Sequence, residues 1–234
     1  MNPALNAYRN VHLWLLIPFV IIILGFLPTY WLQFSSAPWR HHLHGLTATA
    51  WFVLLIAQPY LVTRGHVRQH RLFGMLALVL AGGVIVSGLG AIPYNLVNER
   101  LPETARYGLS FLDLVLVPGF AAAVVMAVVS AKRPDDHARW MISTVFWAVS
   151  PGLFRLLLVP MFIIGVADVD ATVPWVLGST GVVNILVLGF LMLRERRAHP
   201  AYLLAAVGSL VLLIPMQIGQ AEWWRAVANA LFKI

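Results

Sequence analysis

The chain reads as an all-α membrane protein, a polytopic bundle of about seven hydrophobic helices forming one domain over residues 1–234. Three observations predict this. Hydrophobic residues make up 60% of the chain and charged ones only 11%, against about 25% charged in an ordinary soluble domain, and the mean hydropathy is +0.82. Apolar runs recur from residue 11 to residue 220 with no long polar linker between them. Basic residues sit in short clusters at the ends of those runs, the pattern that membrane topology produces. The net charge of +7 is therefore read as topology and not as a nucleic-acid surface.

A hydrocarbon core of about 30 Å takes roughly 20 residues at 1.5 Å each. Cutting the chain at its polar clusters gives runs at 11–34, 43–63, 71–95, 107–131, 140–166, 172–193 and 201–221. The first follows a short segment with Arg9 and ends before Ser35-Ser36-Ala37, as a signal peptide would, but it is longer than the roughly 7 to 15 residues of a cleaved apolar region. It is read as a span. The third run carries Gly74, Gly82, Gly83, Ser87, Gly88 and Gly90, with Gly83, Ser87 and Ala91 on one stripe. Small stripes let membrane helices approach closely, which predicts a central third span. Pro18, Pro118, Pro151, Pro160 and Pro215 fall inside runs, where each removes a backbone donor; Ser150-Pro151-Gly152 is the expected break.

With seven spans, the N-terminus and the loops after spans two, four and six share one side. That side carries Arg9, Arg64, Arg68, Arg71, Lys132, Arg133, Arg139, Arg194, Arg196 and Arg197, against Arg40, Arg100, Arg106, Arg225 and Lys233 on the other. The positive-inside rule makes the richer side cytoplasmic, with the N-terminus in and the C-terminus out. Tyr30, Trp31, Trp39, Tyr60, Tyr107, Trp140, Trp175, Tyr202, Trp223 and Trp224 lie near the expected ends, as an aromatic belt does.

No cysteine is present, which excludes disulfides, thiolate metal sites, iron–sulfur clusters and thiol catalysis. Any metal falls to His, Asp, Glu or Met. Ionisable groups within a span cost about 2.5–3.5 kcal/mol at its centre and are functional candidates. Asp113 and Arg155 qualify, at comparable depth in the outer half, and are expected to face the interior and pair. They read either as a structural lock or as a substrate or proton site in an outer cavity, with His44, Asn184 and Gln58 as neighbours by depth. His70 and His137 open different spans at similar depth and can converge on one haem iron or metal ion. His66 and His199 read as interfacial residues, and His41 and His42 as facing water. Both lysines, Lys132 and Lys233, lie outside the spans, which sets aside a retinal Schiff base. There is no H-E-x-x-H and no P-loop.

The run His70-Arg71-Leu72-Phe73-Gly74, together with Asp136-His137-Ala138-Arg139-Trp140-Met141-Ile142 and the later Arg155, resembles a bacterial membrane family known as a domain of unknown function. In that family His-Arg-x-x-Gly opens one helix and His-x-Arg-Trp-Met another. The likeness covers roughly residues 43 to 160. It implies a multi-pass protein of the bacterial inner membrane in which His70, Arg71, His137, Arg139 and Arg155 matter, and it brings no reaction. A looser likeness is to four-helix b-type cytochromes, whose haems are held by His pairs on facing helices; here spans three and five carry His only at the cytoplasmic end.

Three functions follow as expectations. In the first, His70 and His137 ligate haem b or a metal ion while Arg71 and Arg139 hold propionates or an anionic headgroup. Electron transfer, with quinone or another membrane protein as partner, would be the activity. In the second, a transporter or binding protein uses an outer polar site of His44, Asp113, Arg155 and Asn184. In the third, the chain is a structural subunit of a membrane complex. Whether it is an enzyme is left open.

Overall fold

The computed structural model describes residues 8–99, 101–165 and 169–233, the side chains of residues 162, 169 and 170 aside. Arg100, counted above on the outer side, lies outside them. The described residues contain helices and no strand. In chain order these are α1 (Val11–Trp14), α2 (Leu16–Gly25), α3 (Trp39–Thr63), α4 (Val67–Leu96), α5 (Glu103–Val129), α6 (Pro134–Ala148), α7 (Ser150–Ile163), α8 (Val169–Glu195), α9 (Pro200–Leu210), α10 (Pro215–Gln220) and α11 (Glu222–Phe232). Short 3-10 turns cover Trp31–Ser36 and Val211–Leu213.

Among the described residues, four helices are long and apolar enough to cross a bilayer: α3, α4, α5 and, over Ala171–Glu195, α8. The pair α6 and α7 makes a fifth if taken as one span bent by 42°. The chain is thus an all-helical, multi-pass membrane protein with four to five helices of spanning length. The first and last apolar runs form shorter helices, Val11–Gly25 and Pro200–Leu213.

Both shortfalls have local causes. The helix expected to run to residue 34 ends at Gly25. Pro28 follows within three residues, and the Phe26 carbonyl takes the amides of both Tyr30 (2.9 Å) and Trp31 (3.2 Å), folding the chain into a tight turn. In the last run Pro215 has no amide to donate, so α9 winds down through a 3-10 turn and α10 restarts with that proline in its first turn. The break expected at Ser150-Pro151-Gly152 is present. Ser150 Oγ returns a hydrogen bond to the Phe146 carbonyl (3.0 Å), and Asn184 Nδ2 reaches from α8 to Ser150 Oγ (3.0 Å) and to the same carbonyl (3.5 Å).

Successive long helices run antiparallel, and α5 sits at the centre, packed against α4, α6 and α10, with Phe120, Ala123 and Ala127 buried. The expectation that the glycine-rich third span is central is corrected. Its stripe does face α3, where a Cβ on Gly83 would come within 2.8 Å of Thr47 Cγ2, but Gly82 and Gly90 meet nothing within 4 Å. Leu72, Met75, Leu76, Val79 and Val86 leave its outer face bare. The tightest approaches lie elsewhere. Gly25 of α2 rests on Gly152 of α7, Gly219 of α10 on the Thr104 carbonyl of α5, and the Trp147 ring fills the slot between Gly119 and Gly208.

A Cβ on Gly219 would stand 2.0 Å from the Thr104 carbonyl oxygen, main-chain contact that cannot rotate away. Gly219→Ala is expected to cost about 1–3 kcal/mol by overpacking, measured as unfolding in detergent. Gly90→Ala, in open space, should be neutral or slightly stabilising.

Candidate functional site

Antiparallel packing collects polar residues into two layers, one at each end of the bundle. At the first end, helices α4, α6 and α9 begin and α5 and α8 finish. Asp136 faces His199 Nε2 (3.2 Å), Arg133 (3.3 Å) and Arg197 (3.5 Å). Arg139 pairs with Glu195, which also accepts from the Tyr202 hydroxyl (3.2 Å). Burial pushes the Tyr8 phenol up to about 12, in the field of Arg139, Asp135 and Glu195. Asp136 and Glu195 each meet basic partners from other helices or loops, so these pairs tie helix ends together. Asp136 and Glu195 escaped notice in the sequence because they sit at span ends, where acids are unremarkable; their only signal was proximity to clustered arginines.

His199, read from the sequence as an interfacial residue, stands at a helix end with a structural role. It is 3% exposed, its Nδ1 accepts the Ala201 amide at the start of α9 (3.2 Å), and Nε2 must therefore carry the proton that it donates to Asp136. The residue is a neutral helix cap.

His70 and His137 do meet. Their ring centroids are 6.4 Å apart with planes at 86°. His137 Nδ1 donates to the Ala127 carbonyl at the end of α5 (2.8 Å), which leaves the lone pair of its Nε2 free. The Nδ1 of His70 is buried without a hydrogen-bond partner, and its ring lies close to the Gln58 carbonyl. One turn deeper, Gln58, Trp51, Leu54, Leu55, Ala77 and Met141 line a seam between α3, α4 and α6 that admits no water-sized sphere. That closed seam does not fit a haem. The residues cast as propionate partners are engaged otherwise, Arg139 with Glu195 and Arg71 exposed. A single ion at about 2 Å from each near nitrogen needs only the space between the rings. His66 is exposed and takes no part.

The opposite end holds the intramembrane cluster. His44 of α3 meets Ser87 of α4 at 3.0 Å. Ser87 Oγ already donates to the Gly83 carbonyl (2.6 Å), so His44 Nδ1 is the donor to Ser87 and its Nε2 keeps a lone pair. Asp113 of α5 and Arg155 of α7 attract one another, and Arg155 also acts on His44 and His41. Among the described residues, the acid and the base nevertheless form no ion pair within 4 Å. Arg155 is held by its own helix, Nη1 donating to the Pro151 carbonyl (2.9 Å), and by the face of Phe26, 4.4 Å from its guanidinium carbon. Asn184 is placed elsewhere, on the α6–α7 bend, and Gln58 belongs to the seam at the other layer. His41 and His42, expected in water, are half-buried, in edge-to-face contact with Tyr94 (5.1 Å) and bonded to the Tyr30 hydroxyl (3.1 Å) respectively. A pocket of about 200 Å³ lined by Pro38, Trp39, Arg40, His41, Ala91 and Tyr94 opens beside the cluster.

Comparison with protein-family models, curated proteins and solved structures found no match to the chain.

Burial lowers the pKa of His199, with the Asp136 hydrogen bond offsetting part of the shift. The unfolded chain takes up this proton near pH 6.5 and the folded chain only at lower pH. The stabilisation is therefore complete above about pH 6.5 and is lost as the pH falls through the folded value. Melting curves should be flat above neutrality and fall on acidification, with a smaller fall in His199→Asn, which keeps a capping acceptor and does not titrate.

Proposed function

We propose that the chain crosses the bacterial cytoplasmic membrane seven times, N-terminus inside, and binds or moves a small polar solute at His44, Ser87, Asp113 and Arg155 in the outer half of the bundle. Seven apolar runs and the excess of arginine on one side support that topology. The two shorter helices complete it where close glycine contacts clamp them to α7 and α5.

One observation carries the functional reading. An acid on α5 and a base on α7 lie in each other's field inside apolar helices and stay apart. A pair serving only as a lock gains most when closed, because separated charges in a low dielectric forgo the attraction that offsets their desolvation. Separation leaves the Asp113 carboxylate and the Arg155 guanidinium unpaired with each other and the His44 lone pair unused, a set that can hold a solute through several polar contacts. The pocket lined by His41 lies one turn before His44 on α3. The electron-transfer reading draws less support, because Arg139, cast as a propionate partner, is paired with Glu195.

The test separates site from lock. Asp113→Asn, Arg155→Gln and the double variant are purified and unfolded, and a panel of small acids, amines and amino acids is screened by thermal shift. A binding site predicts single variants about as stable as the parent, with coupling below about 1 kcal/mol, and a panel member that raises the Tm of the parent but of neither variant. A lock predicts losses of about 3–5 kcal/mol in each single variant, largely recovered in the double, and that result overturns the reading in favour of a structural role.

A further inference from the structure

We infer that His70, His137 and Met141 form a site for a soft metal ion of low coordination number, with monovalent copper as its chemical match. The inference is independent of the outer cluster, which lies at the other end of the bundle.

Two helices carry the donors, and a third, α3, closes the seam beneath them. His70 and Gly74 lie one turn apart on α4, and His137 and Met141 one turn apart on α6, so each pair shares a helical face. The Cβ position of Gly74 is 3.7 Å from Gln58 Nε2, which places the Gln58 amide of α3 beside the α4 face. Met141 and Gln58 line the same seam, and the rings of His70 and His137 meet above it at 6.4 Å.

The donors are also prepared. The bond from His137 Nδ1 to the Ala127 carbonyl fixes the tautomer and turns a basic Nε2 outward, the outer support that metal-binding histidines ordinarily have. His70 Nδ1 and Gln58 Oε1 are buried and lack hydrogen-bond partners. An orphaned imidazole nitrogen costs stability where it stands and is satisfied by a metal.

Donor chemistry selects the ion. Magnesium and calcium require several oxygen ligands, and no carboxylate joins the pair. Structural zinc takes four N, S or carboxylate donors, while no group of three or more His, Cys, Asp or Glu residues suited to a metal exists among the described residues. Neutral imidazole with a thioether is the donor set for Cu(I), which is satisfied by two or three ligands. A single positive charge is also easier to desolvate than a double one at a half-buried site.

The full chain in mild detergent is titrated with Cu(I), under anaerobic reducing conditions, against bicinchoninate, and in parallel with Zn(II). The expected result is withdrawal of one copper per chain, a loss of at least ten-fold in affinity in His70→Gln and in His137→Gln, and no change in His66→Ala. Glutamine at 137 can still donate to the Ala127 carbonyl, and near-parental Tm values confirm that both variants fold. Copper-edge X-ray absorption should show nitrogen and sulfur neighbours, with the sulfur lost in Met141→Leu. Failure to compete for copper, tighter binding of Zn(II), or copper binding indifferent to His70→Gln overturns the assignment.

Discussion

In the hydrocarbon core a polar side chain has no water to fall back on, and this constraint sorts the polar residues of the chain. Most hydroxyls solve it inside their own helix by returning to a carbonyl three or four residues earlier. Thr63 does so to Pro59, Ser87 to Gly83, Ser143 to Trp140, Thr180 to Val176 and Ser209 to Ala205. Apart from Ser87, which also accepts from His44, these hydroxyls are used up within their own helices and let small side chains pack at helix contacts. The exceptions include the orphaned Nδ1 of His70 and Oε1 of Gln58, together with several unpartnered indole, imidazole and guanidinium nitrogens elsewhere, and an aspartate and arginine that attract without touching.

The parts of the fold visible in the sequence are those governed by local rules. Apolar runs of about 20 residues became the long helices. Proline beside glycine at Pro151-Gly152 gave the bend, because the missing amide and the lost side chain act on the spot. The common depth of His70 and His137, far apart along the chain, was legible, since two antiparallel hairpins return their starting residues to one level; that their rings meet depends on azimuth and was not. What stayed hidden depends on which faces meet. Counting glycines pointed to α4 as the hub, yet a glycine promotes close packing only where another helix arrives, and Gly119, Gly208 and Gly219 receive Trp147 and Thr104 while Gly82 and Gly90 receive nothing.

The same distinction explains the site residues. Asp113 and Arg155 were identifiable because a charge inside a span is exceptional wherever it points. Asn184 was placed with them by depth, and depth carries no information about azimuth; its amide turns to the Phe146 carbonyl freed by the bend. Glu195 and Asp136 were invisible for the opposite reason, since acids at span ends are ordinary and only the third dimension brings them onto Arg139 and His199.

The bend also decides what Asp113 is free to do. Pro151 cannot donate to its own preceding turn, but its carbonyl remains, and Arg155 Nη1 folds back onto it while the guanidinium covers Phe26. A cation bonded to a main-chain carbonyl and resting on an aromatic face is supported without a carboxylate. Because the Pro151 carbonyl and the Phe26 ring support the guanidinium, the aspartate on α5 is not committed to closing a salt bridge, and its oxygens can serve another group. The acid and base are thus kept apart by contacts of the base with α7 and with the turn after α2, outside the residues that would touch a solute.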